Sequence, residues 1–170
     1  SQGNYIAFLD SDDLYVPNIL KSQLDYLESH DHTPVVYTDQ YLEVNGEIED
    51  KTRFKKSPDS SLDKSKFNLP GFVQHVPIHI SSVMVKKSIF EEIGYFNENL
   101  KIHEDVEMWN RISQKYPLGY IETPLAIFRW EKDPDHLLNP KARQKFIDEG
   151  IKYLKFYQEM KNGHLTSLEA

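Results

Sequence analysis

Asp10-Ser11-Asp12-Asp13 places three carboxylates within four residues, directly after the apolar run Tyr5-Ile6-Ala7-Phe8-Leu9. Carboxylates this close repel one another, and the cluster is costly unless cations or hydrogen bonds compensate. A hard divalent ion such as Mg²⁺ or Mn²⁺ does so well, because it prefers oxygen ligands and often holds substrate phosphates too. Strand C-terminal ends are also where open α/β sheets bind ligands. The same residues equally suit a turn with Asx hydrogen bonds that feeds a helix N-cap. A second acidic pair, Glu104-Asp105, opens a segment with Val106, Trp109 and Ile112 on one helical face. Acids at that position are favoured by the helix dipole alone.

These groups need a scaffold. The run Tyr5–Leu9 reads as a strand inside a parallel sheet, buried on both faces. A helix follows, with Pro17 in its first turn and Leu20, Leu24 and Leu27 on its buried face. Residues 35–38 form a second strand. Residues 41–48 form a hairpin closed by Asn45-Gly46, a pair suited to a type I′ turn. Residues 50–70 are rich in Lys, Ser and Asp and predict a long loop. Ile78 to Val85 predicts a strand. Ser88 and Glu91 predict a capping box on a short helix that ends at Gly94. The Trp109 helix, a strand from Ile121 to Trp130, and a helix from Asn139-Pro140 to about Met160 complete the chain. The expected fold is mixed α/β: a central sheet flanked by helices, with a C-terminal helix.

Composition narrows the function classes. The chain has 170 residues, 39% hydrophobic and 28% charged, which suits one globular domain. A net charge of −7 argues against nucleic acid as the main partner, although a metal ion can still neutralise a bound nucleotide. With no cysteine, disulfides and thiolate metal sites are excluded. No apolar run approaches the ~20 residues of a membrane-spanning helix, and Ser1-Gln2-Gly3-Asn4 does not open a signal peptide. The expected location is cytoplasmic. A buried strand with so little lead-in suggests a chain begun mid-domain.

Taken together, the motifs resemble those of family 2 glycosyltransferases. Residues 3–13 with Pro17 resemble that family's D-x-D region. Ser81–Ser88, Ile93-Gly94-Tyr95-Phe96-Asn97-Glu98 and Glu104–Arg111 follow in the family's order, the last corresponding to its E-D motif. The resemblance covers about residues 1–130, as the C-terminal, acceptor-side part of a GT-A domain that lacks the nucleotide-binding half. Residues 131–170 would be a loop and helix packed on it.

The resemblance implies an inverting transfer of a sugar from a nucleotide-diphosphate donor, with a UDP-sugar favoured, to a glycan or lipid-linked acceptor. Asp12 would be a ligand of Mn²⁺ or Mg²⁺, with Asp13 next and Asp10 nearer the nucleoside. Asp105 would be the general base, and Glu104 would shape the acceptor site. Phe128-Arg129-Trp130 resembles the family's late Tyr-Arg strand, where Arg129 would meet the diphosphate or make a structural ion pair and Trp130 would stack on a ring. Many members carry a histidine soon after this strand. Glu131 and Lys132 stand here instead, and His136 is the nearest candidate ligand. His75 and His79 would line an acceptor cleft or occupy loop and strand-edge positions, and Trp109 belongs to the core. The basic run Lys51–Lys66 is a solvated loop, a lid or a peripheral membrane contact.

Two other readings compete. A strand ending in Asp-x-Asp also resembles haloacid-dehalogenase-type phosphohydrolases, but Leu14 stands where those have Thr or Val. An EF-hand fails because Tyr15 and Lys21 replace the turn Gly and the bidentate Glu. A non-catalytic module that forms homo-oligomers through an exposed sheet edge is the third possibility.

Overall fold

A computed structural model describes residues 2–49, 78–100, 103–130 and 148. The expected 50–70 loop, His75, His136 and the helix from Asn139 lie outside these residues, as does the side chain of Trp130.

Six strands and three helices are described. In chain order they are β1 (Tyr5–Ala7), β2 (Leu14–Tyr15), α1 (Ile19–Ser29), β3 (Val35–Val44), β4 (Glu47–Ile48), β5 (Val83–Lys86), α2 (Ile89–Ile93), α3 (Glu104–Ser113) and β6 (Leu118–Trp130). They form one mixed sheet of order β1-β5-β3-β6-β2, with β4 on β3. Among the described strands, only the β3–β6 pair is parallel.

Strand alternation sorts the core onto the two faces of this sheet. Val35, Tyr37, Val83 and Val85 pack with Ile89, Phe90, Ile93, Met108, Trp109 and Ile112, which places α2 and α3 on one face. Val36 and Met84 pack with Leu27, which places α1 on the other. The expected mixed α/β architecture with flanking helices is therefore the one observed.

Several local expectations are corrected. β1 is antiparallel to β5 and is an edge of the described sheet. Its three residues are half-buried, and Leu9 is 49% exposed. On α1 the buried stripe is Ile19, Gln23 and Leu27, while Leu20 points outward. The apolar pattern misled because the stripe includes a glutamine, whose Nε2 donates to the Ser82 carbonyl at 2.8 Å. Pro17 precedes the cap residue Asn18, which takes the left-handed conformation that asparagine tolerates.

The expected strand over 78–85 opens instead with a 3-10 turn at Ile80–Ser82. There the Ser82 N–H and hydroxyl both donate to the His79 carbonyl, at 2.9 and 2.7 Å. Serine side chains compete with strand pairing in this way. Ser88 makes no side-chain cap; the Lys87 and Ser88 carbonyls accept the Phe90 and Glu91 N–H groups instead.

The strand at 35–38 and the first arm of the hairpin are one continuous strand, β3. Its pairing with β6 slips on both sides of Asp39, which lies opposite Pro124. Proline has no N–H for the ladder, so an irregularity is expected there. The Asn45-Gly46 turn is present, with φ of 52° and 85°.

Candidate active site

The acidic turn is held on three sides. The Asp13 N–H donates back to the Asp10 carbonyl (3.2 Å). The Asp10 N–H donates to Ser81 Oγ (3.0 Å), joining the turn to the 3-10 segment before β5. From β6, the Arg129 N–H donates to Asp13 Oδ1 (3.1 Å), and its guanidinium Nε donates to the Asp12 carbonyl. Arg129 is thus placed on the acidic turn, and Trp130 ends the same strand opposite Val44.

The three aspartates are not equivalent. Asp13 is buried, whereas Asp10 and Asp12 are exposed. Burial pushes the Asp13 carboxyl up, but the His79 ring, the Ser81 hydroxyl and the Arg129 N–H outweigh it and hold the group below its ordinary range. Asp10 is held above its range by partial burial, reinforced by Asp13, Asp12 and Glu104 and opposed by His79.

His79 is the residue that sequence reasoning left outside the acidic site. Its Nδ1 lies 3.2 Å from Asp13 Oδ2, and its Nε2 lies 3.9 Å from Asp10 Oδ2. Ligand atoms of Asp10, Asp13 and His79 all fall within 4.8 Å of one another. A signal existed in strand direction. β1 and β5 pair Tyr5 with Lys86 and Ala7 with Met84, and continuing that register puts Asp10 across from Ser81 and brings His79 beside the turn. Reading β1 as a parallel strand concealed it.

The second acidic pair arrives on α3. The chain enters this helix through His103 in a left-handed conformation (φ 68°). Asp105 Oδ1 accepts the Val106 N–H at 2.7 Å, which fixes the rotation of its carboxyl. Burial pushes the Asp105 carboxyl up to about 6; Glu104 adds to the rise, while the Val106 N–H and His79 oppose it. The two acidic constellations therefore share His79 as an electrostatic neighbour, and Glu104 also acts on Asp10.

Packing joins the segments that carry them. Phe8, Phe96 and Trp109 form an edge-to-face triangle with ring centroids 5.7–6.2 Å apart. Phe8 lies two residues before Asp10, and Trp109 lies one helical turn after Asp105. Trp109 is fully buried, as expected of a core residue. A buried ion pair, Arg111–Glu107, secures the loop before α3, because the guanidinium also donates to the Ile93 and Tyr95 carbonyls, each at 2.7 Å.

A divalent cation fits this donor set. Asp13 Oδ2 and His79 Nδ1 are sealed from solvent and face each other at 3.2 Å. A cation would satisfy both and offset the crowded carboxylates. Asp12 presents its carboxylate outside this three-residue group.

Residues 1–133 match the family described as "Glycosyltransferase like family 2". The chain belongs to this family. The match sets aside the phosphohydrolase alternative. Among relatives of this family 2-like chain, an uncharacterized glycosyltransferase of Rickettsia conorii is 31% identical over 133 residues, 78% of this chain and 22% of that protein. One from Methanocaldococcus jannaschii is 28% identical over 148 residues, 86% of this chain and 49% of that protein. The minor teichoic acid biosynthesis protein GgaB of Bacillus subtilis is 29% identical over 154 residues, 89% of this chain and 16% of that protein. The chain thus spans from under a fifth to about half the length of these relatives. A crystal structure of S. aureus TarS 1–349 in complex with UDP shares the fold, with a TM-score of 0.50 and 18% identity over 79% of this chain and 37% of that one. The GT-A architecture expected from the motifs is thereby supported. No helix among the described residues is long and apolar enough to cross a membrane.

Proposed function

We propose that this glycosyltransferase moves a sugar, with inversion, from a nucleotide-diphosphate donor to an acceptor hydroxyl, with the donor at the Asp10–Asp13 turn and the acceptor at Asp105. One observation supports the reading: His79 lies 3.2 Å from Asp13 and is an electrostatic neighbour of Asp105, as Glu104 is of Asp10, which favours one shared site for donor-side and base-side carboxylates. UDP is the favoured nucleotide, supported by its presence in the TarS complex of the same fold.

Each residue has a part in this scheme. Asp105 takes the proton of the acceptor hydroxyl. That oxygen then forms the new bond to the anomeric carbon, while the bond to the diphosphate oxygen breaks and its electron pair leaves with the diphosphate. A carboxyl raised to about 6 is a stronger base than an ordinary aspartate and is still ionised near neutral pH. Glu104 borders the acceptor. Asp10 and Asp13 would hold Mn²⁺ or Mg²⁺, and exposed Asp12 adds its charge on the open side of the turn. A cation there would offset the charge that develops on the leaving diphosphate. Arg129 braces the turn from β6. The acceptor is assigned to the glycan or lipid-linked class, in keeping with GgaB.

Calorimetry tests this reading. UDP is titrated with and without Mn²⁺ into this chain and into a form extended upstream through a nucleotide-binding half. Metal-dependent binding that weakens about 10-fold or more in Asp13→Ala supports the donor site. Absence of binding in both forms, repeated with other nucleoside diphosphates, would favour a non-catalytic module instead.

A further inference from the structure

We infer that His103 is a positioning residue for the base: its left-handed main chain, not its imidazole, ends α3 on the upstream side and frees the amides that seat the Asp105 carboxyl. This role rests on the reading of Asp105 as base and deepens it.

Three described residues other than glycine have positive φ: Asn18, Asn45 and His103. Asparagine enters this region at little cost, because its short amide can bond locally. His103 lacks that amide and still sits at φ 68°, ψ 16°, directly before Glu104-Asp105. Backbone strain of this kind persists where the surrounding structure enforces it, and it gathers at functional sites.

The left-handed residue fixes where the helix starts. It cannot continue a right-handed helix, so α3 begins at Glu104. The first helical bond runs from the Glu107 N–H to the His103 carbonyl, at 2.9 Å. The N–H groups of Glu104, Asp105 and Val106 come before that bond and meet no carbonyl within the helix. The Asp105 carboxyl collects two of them. Its Oδ1 accepts the Val106 N–H at 2.7 Å, and the N–H of Asp105 itself also acts on it. The His103 ring makes no cap hydrogen bond. Were residue 103 helical, the Val106 N–H would turn to the carbonyl four residues back, and the carboxyl would lose that anchor.

The break is itself held. Glu107, whose N–H meets the His103 carbonyl, is buried and paired with Arg111, which also donates to the Ile93 and Tyr95 carbonyls. The helix cannot slide to relieve His103 without uncovering this pair. Burial is the largest influence on the Asp105 carboxyl and raises it, with Glu104 adding to the rise and His79 opposing it. Loss of the seat should therefore return the group towards the ordinary aspartate value of about 4.

The test compares His103→Gly, His103→Asn and His103→Ala. All three remove the imidazole. Glycine and asparagine keep access to the left-handed region, whereas alanine favours the right-handed helix. The Asp105 carboxyl is titrated by NMR in protein labelled with ¹³C-aspartate, and Asp105→Asn identifies its signal. His103→Gly and His103→Asn should still titrate at about 6, and His103→Gly should melt no lower than the unsubstituted protein. His103→Ala should titrate at about 4. In the upstream-extended form, UDP release from UDP-sugars with acceptor should fall about tenfold or more in His103→Ala alone, while UDP affinity stays within about twofold. A value of about 6 in His103→Ala, or an equal fall in all three variants, overturns the inference; the second result gives the role to the imidazole. If His103→Ala does not fold, a fall in either of the other two variants overturns it as well. If Asp105 moves in His103→Ala alone and transfer does not change, the seat stands and the reading of Asp105 as base fails.

Discussion

Asp105 and Asp13 have the same side chain but opposite environments. Burial dominates at Asp105 and raises its carboxyl to about 6, whereas at Asp13 its neighbours outweigh burial and keep the group ionised. One is suited to accept a proton and the other to hold a cation. A base must be deprotonated to act, so transfer should fall as pH drops through about 6 and level off above it. A pH profile of kcat/KM on the extended form checks this, and an acidic limb near pH 4 would contradict the environment described for Asp105. The residue types at both sites were legible in the sequence; the roles that the family resemblance implies for them are the ones proposed above. His79 was not, because a histidine in an apolar stretch carries no metal spacing of its own. Its significance depends on an antiparallel register that the apolar run Tyr5–Leu9 did not disclose.

At the scale of elements, two contacts set how the helices are held. The Arg111–Glu107 pair anchors α3 to the segment that follows α2. Removing one partner leaves a buried charge uncompensated, so Arg111→Ala should cost about 3–5 kcal/mol, read by urea denaturation. Arg111→Lys should recover only part of this, because an ammonium cannot reproduce the fork that spans Glu107 and two carbonyls. On the other face, a Cβ on Gly119 would lie 2.3 Å from the Tyr26 ring. Gly119→Ala should therefore cost about 1–3 kcal/mol by pushing α1 off β6, and Tyr26→Ala in the same chain should relieve that clash. Sequence pattern located most helices and strands but misplaced their faces and joints. Gln23 in the buried stripe, Ser82 capping a 3-10 turn and Pro124 in a bulge are polar or backbone effects that apolar periodicity does not register.

For the whole molecule, the mixed sheet serves as a frame that brings one acidic turn to one helix end. The turn is bonded to β6 through Arg129 and to the 3-10 segment through Ser81, and α3 is docked by Trp109 against Phe8 and Phe96. The family and its α/β architecture were readable from the order of the motifs. The meeting point of those motifs came only with the topology. In the proposed scheme, donor carboxylates and base belong to one site but do separate work. The most direct measurement compares Asp105→Asn with Asp13→Ala in the extended form, reading both Mn²⁺-dependent UDP binding and UDP release from a panel of UDP-sugars with acceptor. Asp105→Asn should keep UDP affinity within about threefold while transfer falls about 10²–10⁴-fold, and Asp13→Ala should lose both. Undiminished transfer by Asp105→Asn, or UDP binding lost equally in both variants, would contradict the account.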